Sequence, residues 1–223
     1  MELEAKVTAA GRFAALLAAD AHLNAPHDRP LLQGSDWVVA PTLGSIVPNW
    51  TILIPKMAAL SFRDWARTTH NNPADIVDEV THALGLTRDR MIWFEHGPRS
   101  LKSSVGCGVD YAHLHLLIDA PFSVAEIVAE AQSMVPLAWR NGERNTAYAS
   151  LGEATSYLAI GSNDDVKVAE NVDHIGSQFL RRAIASVAGR PARWNYRDCP
   201  EHDNIEGTIK FYRALHDAAH RDQ

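Results

Sequence analysis

Cysteine is scarce in this chain: Cys107 and Cys199 are the only two among 223 residues. That is too few for a disulfide framework, and their separation gives no Cys-x-x-Cys metal pair, so a reducing cytoplasm is the expected setting. Long apolar runs are missing as well. Glu2, Glu4 and Lys6 open the chain and Arg12 and Asp20 break the apolar positions that follow, so neither a signal peptide nor a membrane span is expected. Positive charge is in deficit, with 21 Lys and Arg against 27 Asp and Glu and a net charge of -6. Binding a nucleic-acid polymer relies on a basic surface that neutralises phosphates, which argues against that function class. Local basic clusters can still hold one small phosphorylated ligand. Repeats, low-complexity tracts and long linkers are absent. The 46% of hydrophobic residues suffices for a core in one large domain, or in one domain with an extension.

The patterning mixes helical and strand periods. Val7, Phe13, Leu16 and Leu17 among alanines predict an amphipathic helix over residues 2–21. Residues 37–40 and 50–54 read as strands of an antiparallel hairpin joined through Pro41, Gly44 and Pro48. Asn72-Pro73 opens a helix with the stripe Ile76, Val77, Val80, Leu84 and Leu86, stopped near Gly85. Residues 91–94 form a strand ending at Glu95-His96-Gly97. Ser123 is the expected cap for a helix over residues 124–135, with Glu126 in the capping-box position. Residues 156–160 and 166–168 flank a turn at Gly161 to Asp164 as a hairpin. Helical spacing returns at Ile175, Phe179, Leu180, Ile184 and Val187, stops near Gly189 and Pro191, and resumes over residues 205–216. The expected class is α+β, with residues 1–140 as the main domain and its N-terminal helix, and residues 141–223 as a C-terminal α/β extension packed on the same core.

One segment carries chemistry. In Gly106-Cys107-Gly108-Val109-Asp110-Tyr111-Ala112-His113-Leu114-His115-Leu116-Leu117-Ile118 a glycine turn leads into a strand. Alternation puts Ala112, Leu114, Leu116 and Ile118 on one face and Tyr111, His113 and His115 on the other. Burying two neutral imidazoles costs free energy unless they are hydrogen-bonded or bind something. The glycines at 106 and 108 let backbone amides approach a ligand, and the loop ahead of them brings Arg99, Lys102, Ser103 and Ser104.

This run resembles the signature of the histidine triad superfamily, His-x-His-x-His followed by two apolar residues, with Tyr111 in the first triad position. It is most similar to a Gly-x-Gly-Val-Asp-His-Ala-His-Leu-His version found in some bacterial members. Leu53-Ile54-Pro55-Lys56 matches an apolar-Pro-Lys stretch of the same family, although the histidine that often follows that lysine is absent here. The resemblance covers roughly residues 44–118, and it implies an antiparallel sheet with helices on one face. It also implies catalysis at the alpha-phosphate of a nucleoside polyphosphate, phosphoramidate or nucleotidylated metabolite, by a hydrolase or nucleotidyl transferase. The implied nucleophile is His113, with His115 as the phosphate partner, Tyr111 as a repurposed neighbour, and Gly106, Cys107, Gly108, Val109, Lys102 and Ser104 as the phosphate cradle. Glu95 stands where several relatives carry Asn-x-Gly, which suggests contact with the ribose or with a triad histidine. Arg181 and Arg182, on an expected helix, are candidates for reaching the nucleotide, as is the run from Arg193 to Arg197. No metal or cofactor is required, and members of the family often form homodimers.

Two rivals stay open. Tyrosine, with an ordinary pKa of about 10, is a poor proton relay at neutral pH, so the first rival is a nucleotide-binding or regulatory module with weakened chemistry. Alternatively, His113 and His115 ligate zinc, with Glu95, His96, Cys107 or His202 completing the set.

Overall fold

The protein was analysed as a computed structural model, which describes residues 7, 11–18, 26–106 and 109–219. Eight strands appear in chain order: β1 (Leu32–Gln33), β2 (Trp37–Pro41), β3 (Trp50–Pro55), β4 (Met91–Gly97), β5 (Leu114–Ile118), β6 (Arg140–Gly142), β7 (Tyr157–Ser162) and β8 (Asp165–Glu170). They form one antiparallel sheet in the order β1-β2-β3-β5-β4-β7-β8-β6. The strands after residue 140 extend this same sheet, because β7 pairs with β4 from Trp93↔Gly161 to Gly97↔Tyr157. The class is α+β.

Six helices are described: α1 (Gly11–Leu17), α2 (Phe62–Thr69), α3 (Pro73–Ala83), α4 (Val124–Met134), α5 (Phe179–Val187) and α6 (His202–Ala219). Each sheet face carries apolar residues at every second position, so each must be covered. On one face Leu53, Trp93, Leu114, Leu116 and Ile118 pack with Phe62 and Trp65 of α2, Val77 and Val80 of α3, and Tyr212 of α6. On the other, Trp50, Phe94, Leu117, Leu158 and Ile160 pack with Ile127 of α4 and Leu180 and Ile184 of α5. Phe13 and Leu16 of α1 close the remainder of that second face over Ala40, Ile52 and Ile54. Helices on both faces correct the expectation of a one-sided cover.

Local signals explain three of the six helix starts. The Ser123 hydroxyl accepts from the Glu126 amide while the Glu126 carboxylate accepts from the Ser123 amide, a complete capping box at the start of α4. Ser123→Ala is expected to lower stability by about 1 kcal/mol, read as a shift in urea midpoint at constant slope. Asn72 caps α3 through the Ala74 amide, ahead of Pro73 in the first turn. The sequence reading missed α2, although Ser61-x-x-Asp64 offers its cap and the Ser61 hydroxyl takes the Asp64 amide.

Candidate active site

β5 sits between β3 and β4, and its register sets Ile52 and Phe94 on either side of His115. Alternation then does what the sequence pattern requires. Ala112, Leu114, Leu116 and Ile118 join the α2/α3 side, while Tyr111, His113 and His115 lie on the side facing α1 and α5. The strand itself begins at Leu114, so Tyr111 and His113 belong to the segment leading into it. The rings of His113 and His115 lie 5.2 Å apart at 74°.

Their hydrogen bonds give the two imidazoles opposite polarity. His113 Nδ1 lies 2.8 Å from the Tyr111 carbonyl oxygen, which can only accept, so the proton is on Nδ1 and the lone pair on Nε2. His115 Nδ1 lies 3.1 Å from the Trp50 indole nitrogen, which can only donate, so in the neutral ring the proton is on Nε2. That Nε2 is buried without a hydrogen-bond partner among the described residues. Both rings stay neutral. Burial, then His113, Arg181 and His96, hold the His115 pKa well below the usual histidine range. Burial also lowers that of His113, opposed by the Tyr111 carbonyl and assisted by Arg12 and Arg181.

The pair borders a cavity of about 220 Å³ that Arg12 and Phe13 of α1, Thr42, Leu43, Ile52, Val109, Arg181 of α5 and Tyr196 complete. Arg181 is buried, donates to the carbonyls of Gly44 and Trp194, and lies 4.7 Å over the Trp50 ring. Gly44 has φ +68°, and a Cβ there would come within 2.5 Å of the Arg181 guanidinium and of Tyr196 Cβ, so only glycine lets this turn approach the pair. Arg12 is held by Asp28 at 2.8 Å and by the carbonyls of His27 and Pro41. Phe13 stands edge-on to His113 at 5.4 Å. A neutral nucleophilic nitrogen, an N–H donor and two guanidiniums around one cavity suit a phosphoryl or similar anionic centre.

Of the residues anticipated from sequence, His113, His115, Val109 and Arg181 meet at the cavity. Tyr111 does not line it. Its phenol donates to the Pro55 carbonyl at 3.1 Å, so its contribution to the site is the backbone oxygen that orients His113. Lys102 and Ser104 are exposed and away from the cavity; the Lys102 amide donates to Asp110 and the Ser104 hydroxyl to the Asp173 carbonyl. Gly106 is buried, and a Cβ there would make only ordinary contacts from 3.8 Å, so sterics do not demand a glycine. Cys107 and Gly108 lie outside the described residues. Arg182 turns instead to the Ile175 carbonyl and to the faces of Phe179 and Trp194.

Glu95 is the clearest correction. It shares strand parity with Trp93 and points to the opposite face, where its oxygens accept from the Phe62 amide at 2.7 Å and the Tyr157 hydroxyl at 2.6 Å. It therefore anchors the start of α2 and touches neither a ribose pocket nor His115. His96 caps a helix: its Nε2 accepts the Leu180 amide at 3.0 Å in the first turn of α5. Burial first, then His113 and Arg181, push its pKa down to about 3. Among the described residues no three His, Cys, Asp or Glu side chains gather in a way that could hold a metal ion.

Arg12, Phe13, Thr42, Leu43 and Ile52 were not anticipated as site residues, and Tyr196 only as part of the 193–197 run. No family model matches the chain, and no curated protein matches it. No helix among the described residues is long and apolar enough to cross a membrane.

Proposed function

We propose that the chain is a HIT-like nucleotide hydrolase or nucleotidyl transferase that acts at an alpha-phosphate through a covalent intermediate on His113. The observation that carries this reading is the opposite polarity of two neutral imidazoles on one cavity that two arginines also line. The resemblance of residues 106–118 to the triad signature supports it. His113 Nε2 attacks phosphorus; the P–N bond forms as the bond to the leaving group breaks, and the leaving group takes that electron pair, an amine leaving group also taking a proton from solvent. The Nδ1–H stays on the ring, where the Tyr111 carbonyl stabilises the positive charge that the phosphorylated imidazole acquires. The His115 N–H and the guanidiniums of Arg12 and Arg181 take the charge spread over the non-bridging oxygens. Water or another acceptor then attacks phosphorus, the electron pair of the P–N bond returns to Nε2, and the acceptor proton leaves to solvent. The cavity lies below the roughly 300 to 1,000 Å³ of drug-sized pockets, so it suits the reacting phosphate and the nearest part of its substituent, with the rest of the conjugate outside. Such substrates belong to the cytoplasm, the compartment that the cysteine usage favours.

The test is to incubate the protein with nucleoside phosphoramidates, dinucleoside polyphosphates and nucleotidylated amines, quench in denaturant, and map any adduct by mass spectrometry. A nucleoside monophosphate on His113 is the expected result, whereas turnover with the adduct on another residue, or none at all, rejects the mechanism. The pH profile is a separate prediction. Because the His113 pKa is lowered, its lone pair survives acidification, so kcat/KM falls only as pH drops below the ordinary histidine value of about 6.5. An acid limb centred above that value would contradict a neutral, partly desolvated nucleophile.

One observation favours a second reading, a nucleotide-binding module without efficient chemistry. The phenol that stands for the first triad histidine is committed to the Pro55 carbonyl and is not available to relay protons. Thermal stabilisation by nucleotides without product or adduct would select that reading.

A further inference from the structure

Trp50 contacts two of the groups that border the cavity. Its indole N–H reaches His115 Nδ1 at 3.1 Å, and its ring lies 4.7 Å from the Arg181 guanidinium carbon. The side chain is fully buried at the start of β3, opposite Leu117 of β5. An indole nitrogen donates and never accepts. Of the three states open to an imidazole, only the neutral ring protonated on Nε2 can take this hydrogen bond. The other tautomer and the imidazolium would each set two N–H groups against one another in a dry interior. Turning the ring over would replace Nδ1 by a carbon and orphan the indole. Phe94, stacked on His115 at 4.4 Å and 18°, fixes the plane in which the ring lies.

We propose that Trp50 is a positioning residue whose indole N–H holds His115 in the Nε2–H tautomer, so that a hydrogen-bond donor rather than a lone pair is offered beside His113. In the other tautomer His115 would present a lone pair on Nε2 and repel the phosphoryl oxygens that it is meant to hold. Arg181 rests on the same indole, so one buried side chain sets both the N–H donor and the neighbouring cation. The tautomer stands whatever the cavity binds; only the kinetic consequence rests on the nucleotidyl-transfer reading.

Long-range proton–nitrogen spectra of the uniformly 15N-labelled full chain at pH 7 read the tautomer directly, with signals assigned through His113→Gln and His115→Gln. Wild-type His115 is expected to carry its proton on Nε2 and His113 on Nδ1. In Trp50→Phe the His115 signals are expected to move toward those of an imidazole that exchanges between tautomers. A wild-type His115 protonated on Nδ1 overturns the inference, as does an unchanged Nε2–H pattern in Trp50→Phe. If Trp50→Phe fails to fold, the wild-type spectrum decides alone. Where the wild type turns over, Trp50→Phe is expected to lower kcat about tenfold with KM changed by less than about twofold, since a donor is misdirected and not deleted. A wild type without turnover would refute nucleotidyl transfer while the spectrum still judges Trp50.

Discussion

His113→Ala is expected to reduce turnover by roughly 10³-fold or more and to abolish the nucleotidyl-protein adduct, with the fold nearly unchanged. The size follows from the role: among the described residues no other side chain lining the cavity offers a neutral nitrogen lone pair, since His115 turns its own toward Trp50. The modest structural cost follows from the position. His113 is only partly buried, precedes β5, and gives up one hydrogen bond to the Tyr111 carbonyl and an edge contact with Phe13. Losing that hydrogen bond is worth about 1 kcal/mol, well within what a domain of this size tolerates. Near-wild-type kcat/KM in a folded His113→Ala protein would remove His113 from the chemistry. The contrast with His115→Ala is informative. Deleting a donor to the transition-state oxygens typically costs about 10² to 10³ in rate, so His115→Ala should still form adduct slowly where His113→Ala forms none.

Much of this site was legible because strand alternation is a strict rule. Within residues 111–118 the period of two separates the apolar residues from the imidazoles, and the register of β3, β5 and β4 only had to keep them so. The same rule, applied to β4, assigns Glu95 the parity of Met91 and Trp93 and His96 that of Phe94, so parity and not motif position decides which face Glu95 takes. The capping box at Ser123 and the Asn72-Pro73 start were readable because their hydrogen bonds close within three residues. The convergence of Arg12, which was not anticipated, with Arg181, which was, could not be read. They meet at one cavity from helices about 170 residues apart in sequence, and each is held by backbone carbonyls that no local pattern announces. Arg12 reads as surface until its partner carbonyls are known, and Arg181 could not be told from Arg182, which turns to the Ile175 carbonyl. Helices on both faces were also hidden, since the second face is covered jointly by α1, α4 and α5, three helices far apart in sequence.

The largest stability effect is expected far from the cavity, at Glu95. Its carboxyl is buried between the Phe62 amide and the Tyr157 hydroxyl, and burial, partly offset by those hydrogen bonds, raises its pKa to about 7 from the ordinary 4.5. The folded state therefore keeps a proton that the unfolded state releases between those values. Stability from this group is fully present below about 4.5, falls as pH rises, and above 7 is lower by about 3 kcal/mol. The buried histidines act in the opposite sense. His96, with its pKa near 3, and the lowered His113 and His115 remain neutral in the fold while the unfolded chain protonates them, so their stability is lost as pH falls below about 6.5. The two slopes oppose one another between 4.5 and 6.5, and a variant is needed to separate them. Glu95→Gln keeps an oxygen for the Phe62 amide and an N–H₂ for the Tyr157 oxygen but cannot ionise. Urea unfolding should therefore find it gaining on the wild type by about 3 kcal/mol between pH 4.5 and pH 8. Glu95→Ala instead orphans a buried amide and a buried hydroxyl and should cost about 3 kcal/mol or more throughout, at roughly 1 to 3 kcal/mol for each unsatisfied group. A difference between Gln and Glu that stays flat with pH would mean that the carboxyl does not titrate in this window. Because Glu95 faces away from His113 and His115 across the sheet, folded Glu95→Gln should retain the wild-type kcat, which separates a group that holds α2 in place from one that handles substrate.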